Sequence, residues 1–107
     1  MKLLSRAEEI ILLAVLSLKD NAYGLSIRDI IHDATGDIWS LAQIYDPLNR
    51  LTRKGMLRKD QGAPSPERGG RCKFLYSPTK EGMAALKEIR RVQRHIGSFS
   101  SDRSLEE

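Results

Sequence analysis

The chain has very little of the chemistry that enzymes and metal sites require. Among its 107 residues there is one cysteine, Cys72, and there are two histidines, His32 and His95. A single thiol cannot form an internal disulfide, and the histidines have no partners at the spacing of a zinc site. The sequence also has no serine–histidine–acid set, paired carboxylates or phosphate-binding glycine loop. We therefore predict a protein that is not an enzyme and that uses no metal or other cofactor.

Long apolar runs are also missing. The longest nearly uninterrupted apolar stretch, Ile10 to Leu18, is roughly half of the ~20 residues that a membrane-spanning helix needs. Arg6, Glu8 and Glu9 interrupt the region that would be apolar in a secretion signal. We expect no membrane span and a cytoplasmic location. The length leaves room for one domain with a modest core.

Charge is distributed unevenly along the chain. Residues 49–80 contain nine lysines and arginines against two acidic residues, a net charge of +7, whereas the rest carries −3 and the whole chain +4. By charge alone, a solvated surface is the simpler explanation. The asymmetry also fits a polyanionic partner bound by one face of the domain.

Three helices are predicted in the first half of the chain. Ser5, followed three residues later by Glu8, has the spacing of a capping box that begins a helix. Apolar residues then recur at steps of three and four. A second helix fits residues 25–34, and Ser40 is placed to cap a third that Gly55 ends. The short connection between the second and third helices makes them candidates for a helix-turn-helix.

Pro47 leaves the start of the third helix open. Inside a helix, proline removes one backbone hydrogen bond and crowds an earlier carbonyl, at a cost of ~3 kcal/mol. One alternative is a helix that begins after Ser40 and tolerates an irregularity at Pro47. The other is a helix that begins near Asp46, with Pro47 at the favoured first position.

The second half predicts a β-hairpin and one further helix. Residues 56–59 and 73–77 have the composition of short strands. The intervening residues 60–72 contain glycine or proline at five positions, which is typical of a flexible loop. Thr79 is placed to cap a last helix whose apolar line continues to Ile96.

Together these elements predict an α+β fold that is mainly α. We expect a winged helix-turn-helix made of three helices, a two-stranded β-hairpin as the wing and a C-terminal helix. Residues 1–96 would form this single domain, and the polar, serine-containing residues 97–107 would be a flexible tail.

The third helix presents one face for packing and another for a partner. A helical wheel places its leucines and Ile44 in one sector, with Gln43, Arg50 and Lys54 on the opposite side. Arginine binds guanine and glutamine binds adenine in bidentate fashion, and lysine neutralises phosphate. Asp46 also points outward, and we expect it to pair with Arg50 rather than accept a hydrogen bond from cytosine. These residue types suit a helix that lies in the major groove of DNA.

Two further features extend this surface. Arg68 and Arg71 flank a pair of glycines in the predicted loop, where they would reach the DNA backbone or minor groove. For Arg68 a loop without contacts is almost as good an explanation. Tyr45 would reach a phosphate through its hydroxyl. The candidate DNA-binding residues are Gln43, Tyr45, Arg50, Arg53, Lys54, Arg68, Arg71 and Lys73.

Several strings resemble the PadR family of bacterial transcriptional regulators over about residues 4–92. They are Tyr23-Gly24-Leu25, Ile44-Tyr45-Asp46-Pro47-Leu48-Asn49-Arg50-Leu51, Lys54-Gly55-Met56-Leu57, Gly69-Gly70-Arg71 and Tyr76-Ser77-Pro78-Thr79-Lys80-Glu81-Gly82. The resemblance implies a winged-helix dimer that represses transcription, often in response to a small molecule. It places Tyr45 and Arg50 near DNA and Arg71 in the wing. Little chain follows Val92, so the sequence resembles a short type of the family, in which the helix from about residue 79 would serve in dimerisation.

The leading hypothesis is a sequence-specific repressor that binds a pseudo-palindromic operator in double-stranded DNA as a homodimer. No effector can be identified, although the family resemblance allows one. The alternative is a winged-helix protein-interaction module that does not bind DNA and uses its last helix to hold a protein partner.

Overall fold

Four helices and one antiparallel pair of strands make up the described part of the chain, residues 4–64 and 72–100 of a computed structural model. In chain order the elements are α1 (Arg6–Leu18), α2 (Gly24–Thr35), α3 (Leu41–Arg53), β1 (Leu57–Pro64), β2 (Cys72–Pro78) and α4 (Lys80–Ser100), with a 3₁₀ turn at Lys19–Asn21. The predicted fold class, mainly helical with one hairpin before a C-terminal helix, is confirmed. None of the described helices is long and apolar enough to span a bilayer.

Side-chain caps set the starts of α1 and α3. Ser5 Oγ accepts from the Glu8 backbone N–H at 3.2 Å, while the Ser5 N–H donates to Glu8 Oε1 at 2.9 Å. Ser40 and Gln43 repeat this reciprocal arrangement at α3. Ser40 Oγ accepts from the Gln43 N–H at 3.2 Å, and the Ser40 N–H donates to Gln43 Oε1 at 2.7 Å. Each box provides acceptors for two backbone N–H groups that would otherwise lack partners at the start of the helix.

The cap at Ser40 decides between the two predicted starts of α3. The helix begins at Leu41 and contains Pro47, so the alternative start near Asp46 is wrong. Pro47 is buried on the packing side of α3. Burial of its apolar ring therefore offsets part of the cost of the lost hydrogen bond.

The core is centred on α1. Ile11, Leu12 and Val15 are fully buried, and they pack with Ile27 of α2. The same cluster includes apolar residues of α3, β1, β2 and α4, namely Ile44, Leu48, Leu51, Leu57, Tyr76 and Leu86. One short helix thus packs against α2, α3, α4 and β2.

The hairpin strands are longer than predicted. β1 pairs with β2 from Leu57↔Pro78 to Gln61↔Phe74, followed by an irregularity before Pro64↔Cys72. The predicted loop is therefore wrong for residues 60–64 and for Cys72. Cross-strand hydrogen bonds to the apolar residues of β2 hold polar residues such as Asp60 and Gln61 in a strand. The predicted loop residues 65–71 lie outside the described residues.

Thr79 caps α4 as predicted and also joins it to the end of α3. Its hydroxyl accepts from the Gly82 N–H at 3.1 Å and donates to the Gly55 carbonyl at 2.6 Å, and its own N–H donates to the Met56 carbonyl at 3.1 Å. The start of α4 is therefore fixed against the turn that connects α3 to β1.

The end of α4 differs from the prediction. The helix continues to Ser100, so residues 97–100 are helical rather than part of a tail. The described glycines with positive φ are Gly36 and Gly55, which end α2 and α3. Gly97 does not adopt the left-handed conformation that commonly ends a helix. The rest of the predicted tail, residues 101–107, lies outside the described residues.

Gly82 allows the first turn of α4 to approach the connection that precedes β1. A methyl group there would collide with the backbone carbonyl of Met56, whereas one at Gly97 would meet open space. We expect Gly82→Ala to destabilise the fold by about 1 to 3 kcal/mol through overpacking. Gly97→Ala, the matched control in the same helix, should stabilise it by about 0.5 to 1 kcal/mol. Urea unfolding measures both, and equal stability of the two variants would contradict the close approach.

Candidate nucleic-acid interface

One face of α3 is turned away from the core. Its buried residues are Ile44, Pro47, Leu48 and Leu51, and the opposite, exposed face carries Ala42, Tyr45, Asp46, Asn49 and Arg53. Both sets recur at steps of three and four, so they form two continuous stripes on opposite sides of one helix. We call the exposed stripe the outer face of α3.

The outer face is rotated relative to the predicted one. Leu41, one of the leucines expected to pack, is 52% exposed and lies outside the core cluster. Pro47, which lies outside the packing sector of the helical wheel but matches a scaffold position in the family resemblance, is buried. The centre of the outer face is therefore near Asn49 and Arg53, whereas Arg50 lies at its border.

A buried carboxylate on α1 contacts both cations at this border. Lys54 Nζ donates to Glu8 Oε2 at 2.7 Å, and Arg50 Nε lies 3.6 Å from the same oxygen. Glu8 itself is only 3% exposed. The expected Asp46–Arg50 pair is wrong, because Arg50 pairs with Glu8 across the α1–α3 contact. Within the described ranges Asp46 forms no ion pair.

Several contacts act on the ionisation of Glu8. Burial raises the pKa of the carboxyl, but the hydrogen bond from Lys54, the donors of Ser5 and the charge of Lys54 together outweigh it. The net pKa is lower than the ordinary value, so Glu8 is ionised at neutral pH. The side chains of Arg50 and Lys54 remain 41% and 37% exposed. Both cations therefore contact the carboxylate on one side and water on the other.

Tyr45 fixes the contact between α2 and α3. Its hydroxyl end lies against Gly24, the first residue of α2, where any Cβ would collide with the phenol. Tyr45 also adds to the effect of burial in raising the pKa of Tyr76 on β2. Since the ring remains partly exposed on the outer face, Tyr45 links the packing of α2 against α3 to the surface.

The other predicted residues have different environments. The carbonyl of Gln43 serves in the α3 cap, and its exposed amide nitrogen can still donate. Arg53 is exposed and, among the described residues, forms no ion pair. Lys73 lies in β2, but its side chain is not described. Arg68 and Arg71 lie outside the described residues.

Sequence reasoning missed two residues of this surface. Asn49 lies on the outer face one turn before Arg53, and counting Pro47 among the packing residues would have placed it there. Lys59 lies on β1, where Nζ is 4.2 Å from the centre of the exposed Phe74 ring. A cation over an aromatic face is stabilised by the ring quadrupole. The pairing of distant strands places Lys59 there, so no local signal marked it.

Together the α2–α3 pair and the hairpin form a winged helix-turn-helix. The chain belongs to the Transcriptional regulator PadR-like family, whose model matches residues 12–88. Members of this family bind DNA and regulate transcription, so the chain is a transcriptional regulator and not an enzyme, as predicted.

Solved structures share the fold. A transcriptional regulator from Clostridium thermocellum matches with a TM-score of 0.71 and 20% identity, covering 92% of this chain and 89% of that chain. A PadR-like regulator from Bacillus cereus matches with a TM-score of 0.70 and 20% identity, covering 89% of this chain and 87% of that chain. A PadR family regulator from Clostridium difficile matches with a TM-score of 0.65 and 25% identity, covering 89% of this chain and 95% of that chain. No sequence among the curated proteins matches the chain significantly.

Glu8 should make the stability of the fold depend on pH. Because its pKa is lower in the folded chain than the ordinary 4.5, the ionised carboxylate stabilises the fold above that pH. This stabilisation is lost as the pH falls through the lower folded-state pKa. Glu8→Gln should therefore lose less stability than the wild type in urea unfolding between about pH 6 and about pH 3. In Glu9→Gln, which removes the adjacent carboxylate bonded to Gln93, the contribution of Glu8 should persist. An unchanged pH dependence in Glu8→Gln would contradict this assignment.

Proposed function

We propose that this chain is a cytoplasmic repressor that binds a pseudo-palindromic operator in double-stranded DNA as a homodimer. The observation that carries the proposal is the outer face of α3, a polar stripe directly opposite the packed side of the same helix, with Arg53 on it and Arg50 at its border. A helix with this division of faces, preceded by the α2–α3 turn, suits insertion into a major groove.

The outer face has suitable groups for reading bases. Asn49 would bind adenine in bidentate fashion, and the free amide nitrogen of Gln43 would donate to a base or phosphate. Arg50 would bind guanine and Arg53 a phosphate, while the Tyr45 hydroxyl would donate a hydrogen bond to a phosphate of the DNA backbone. At the end of the helix, Lys54 is hydrogen-bonded to Glu8, so we do not count it among the phosphate contacts of the wild type.

The hairpin would contact DNA beside the groove. Lys59 projects from β1, the strand that packs against α3, and Arg58 is exposed on the same strand. In this proposal Arg68, Arg71 and Lys73 provide further cations toward the flanking backbone. Such contacts increase affinity for every duplex and carry little sequence information.

The homodimer is supported by α4. Leu86 and Ile89 in its first half are buried against the domain, whereas Ile96 in its last turns is 61% exposed. A helix of 21 residues that presents an exposed isoleucine in its last turns suits pairing with a second copy. Two copies of α3 would then enter successive major grooves, about 34 Å apart.

Substitutions on the outer face should separate base reading from charge. With an operator selected from genomic fragments, Asn49→Ala should weaken the binding free energy by about 1 to 3 kcal/mol and relax specificity at one base pair. Arg53→Ala should weaken all duplexes alike and reduce the salt slope by about one. Lys87→Ala, which removes an equal charge from the exposed side of α4, serves as the control. The proposal fails if the wild type binds no duplex, a result that would favour a protein partner.

Sedimentation tests the homodimer. Ile96→Glu should raise the dissociation constant of the dimer at least about tenfold, equivalent to ~1.4 kcal/mol, because a charge would be buried in the interface. Ile38→Glu makes the same chemical change at a residue that is 67% exposed between α2 and α3, and it should leave assembly unchanged. A monomeric wild type at micromolar concentration, or equal behaviour of the two variants, would overturn the homodimer.

A further inference from the structure

Glu8 is the one buried carboxylate in the described core, and it lies beside the proposed DNA surface rather than within it. Its Oε1 is occupied by the Ser5 N–H, and its Oε2 by Lys54 and Arg50. Arg50 lies in the last turn of α3 and Lys54 is the C-cap residue of that helix, which is distant in sequence from Glu8. The cap of α1 uses only Oε1 of Glu8, so Oε2 can pair with Arg50 and Lys54.

The two cations differ in how they are held. Lys54 donates a short hydrogen bond of 2.7 Å, so its ammonium is the principal counter-ion of the carboxylate. Arg50 makes an ion pair of 3.6 Å through Nε and, within the described part of the chain, donates no hydrogen bond. Its guanidinium therefore keeps its donors for another acceptor.

Phosphate and Glu8 would compete for the same ammonium group. Moving Lys54 to DNA would leave a buried carboxylate with a weaker partner, and an uncompensated buried charge is costly. Arg50 can turn its remaining donors outward without leaving Glu8. The geometry thus distinguishes a cation retained by the protein from one available to a ligand.

On this basis, and resting on the proposed function, we propose that Glu8 is a specificity-determining residue for DNA binding. It retains Lys54 as its own counter-ion and positions Arg50 at the border of the outer face. The carboxylate thereby reduces non-specific attraction to phosphate and leaves Arg50 oriented toward the groove. Specificity is the ratio of the affinity for the operator to the affinity for random duplex. A lower affinity for random duplex therefore raises the specificity.

Glu8→Gln tests this directly, because glutamine is accepted at this position of a capping box and removes only the charge. Released from Glu8, Lys54 should contact phosphate. The affinity for random duplex should rise, the slope of log K against log salt should steepen by about 0.9, and the specificity ratio should fall. Glu9→Gln makes the same change in net charge on α1 without touching Arg50 or Lys54, and it should behave as the wild type. Equal slopes for the two variants would overturn the proposal.

Elution from immobilised heparin separates this inference from the proposed function. Heparin is a polyanion without bases, so Glu8→Gln should elute at higher salt than Glu9→Gln even if no duplex is bound. Failure of the wild type to bind duplex rejects DNA binding, whereas equal elution of the variants rejects the role of Glu8.

A measurement on the wild type keeps the test independent of the variants' folding. In a heparin titration followed by NMR of the nitrogen-labelled protein, the Arg53 Nε–H signal should shift first, while the Lys54 ammonium signal should stay in place. A Lys54 shift as large as that of Arg53 would overturn the proposal.

Discussion

Burial of α1 is the constraint on which the rest of the structure depends. Ile11, Leu12 and Val15 exclude water completely, and α1 packs against α2, α3, α4 and β2. A helix buried on several sides fixes the orientation of each element that packs on it. The side of α3 that meets α1 is therefore decided by the core, and the outer face is the side that remains.

The Glu8 contact adds a polar restraint to this apolar packing. Charge pairing across the α1–α3 contact ties the rotation of α3 about its axis to the start of α1. Ser5 both caps α1 and donates to Glu8, so the carboxylate that holds Lys54 is itself oriented by the helix cap. Local capping and long-range ion pairing thus share one side chain. Such sharing couples the position of the helix end to the charge presented on α3.

Features of the fold that depend on neighbouring residues could be predicted from the sequence, whereas features that depend on distant contacts could not. The caps at Ser5, Ser40 and Thr79 were predicted because each depends on residues within one turn. The rotation of α3 about its axis was not predicted, because it depends on whether Leu41 or Pro47 packs against the core. The pairing of Arg50 with Glu8 instead of Asp46 joins residues far apart in sequence, and the extra length of the strands depends on pairing across the hairpin. Such contacts leave no local pattern.

Thr79 gives the proposed dimer a structural basis for accurate half-site spacing. Its hydroxyl and backbone connect the first turn of α4 to the carbonyls of Gly55 and Met56, immediately after α3 ends. Gly82 permits the close approach that these bonds require. If α4 pairs with a second copy, the helix that sets the distance between protomers is fixed at its start to the end of α3. The separation of the two outer faces would then be determined by a short, rigid path rather than by the hairpin. In the proposed function, a dimer built in this way would read operator spacing through its packing, while α3 would read the sequence of each half-site.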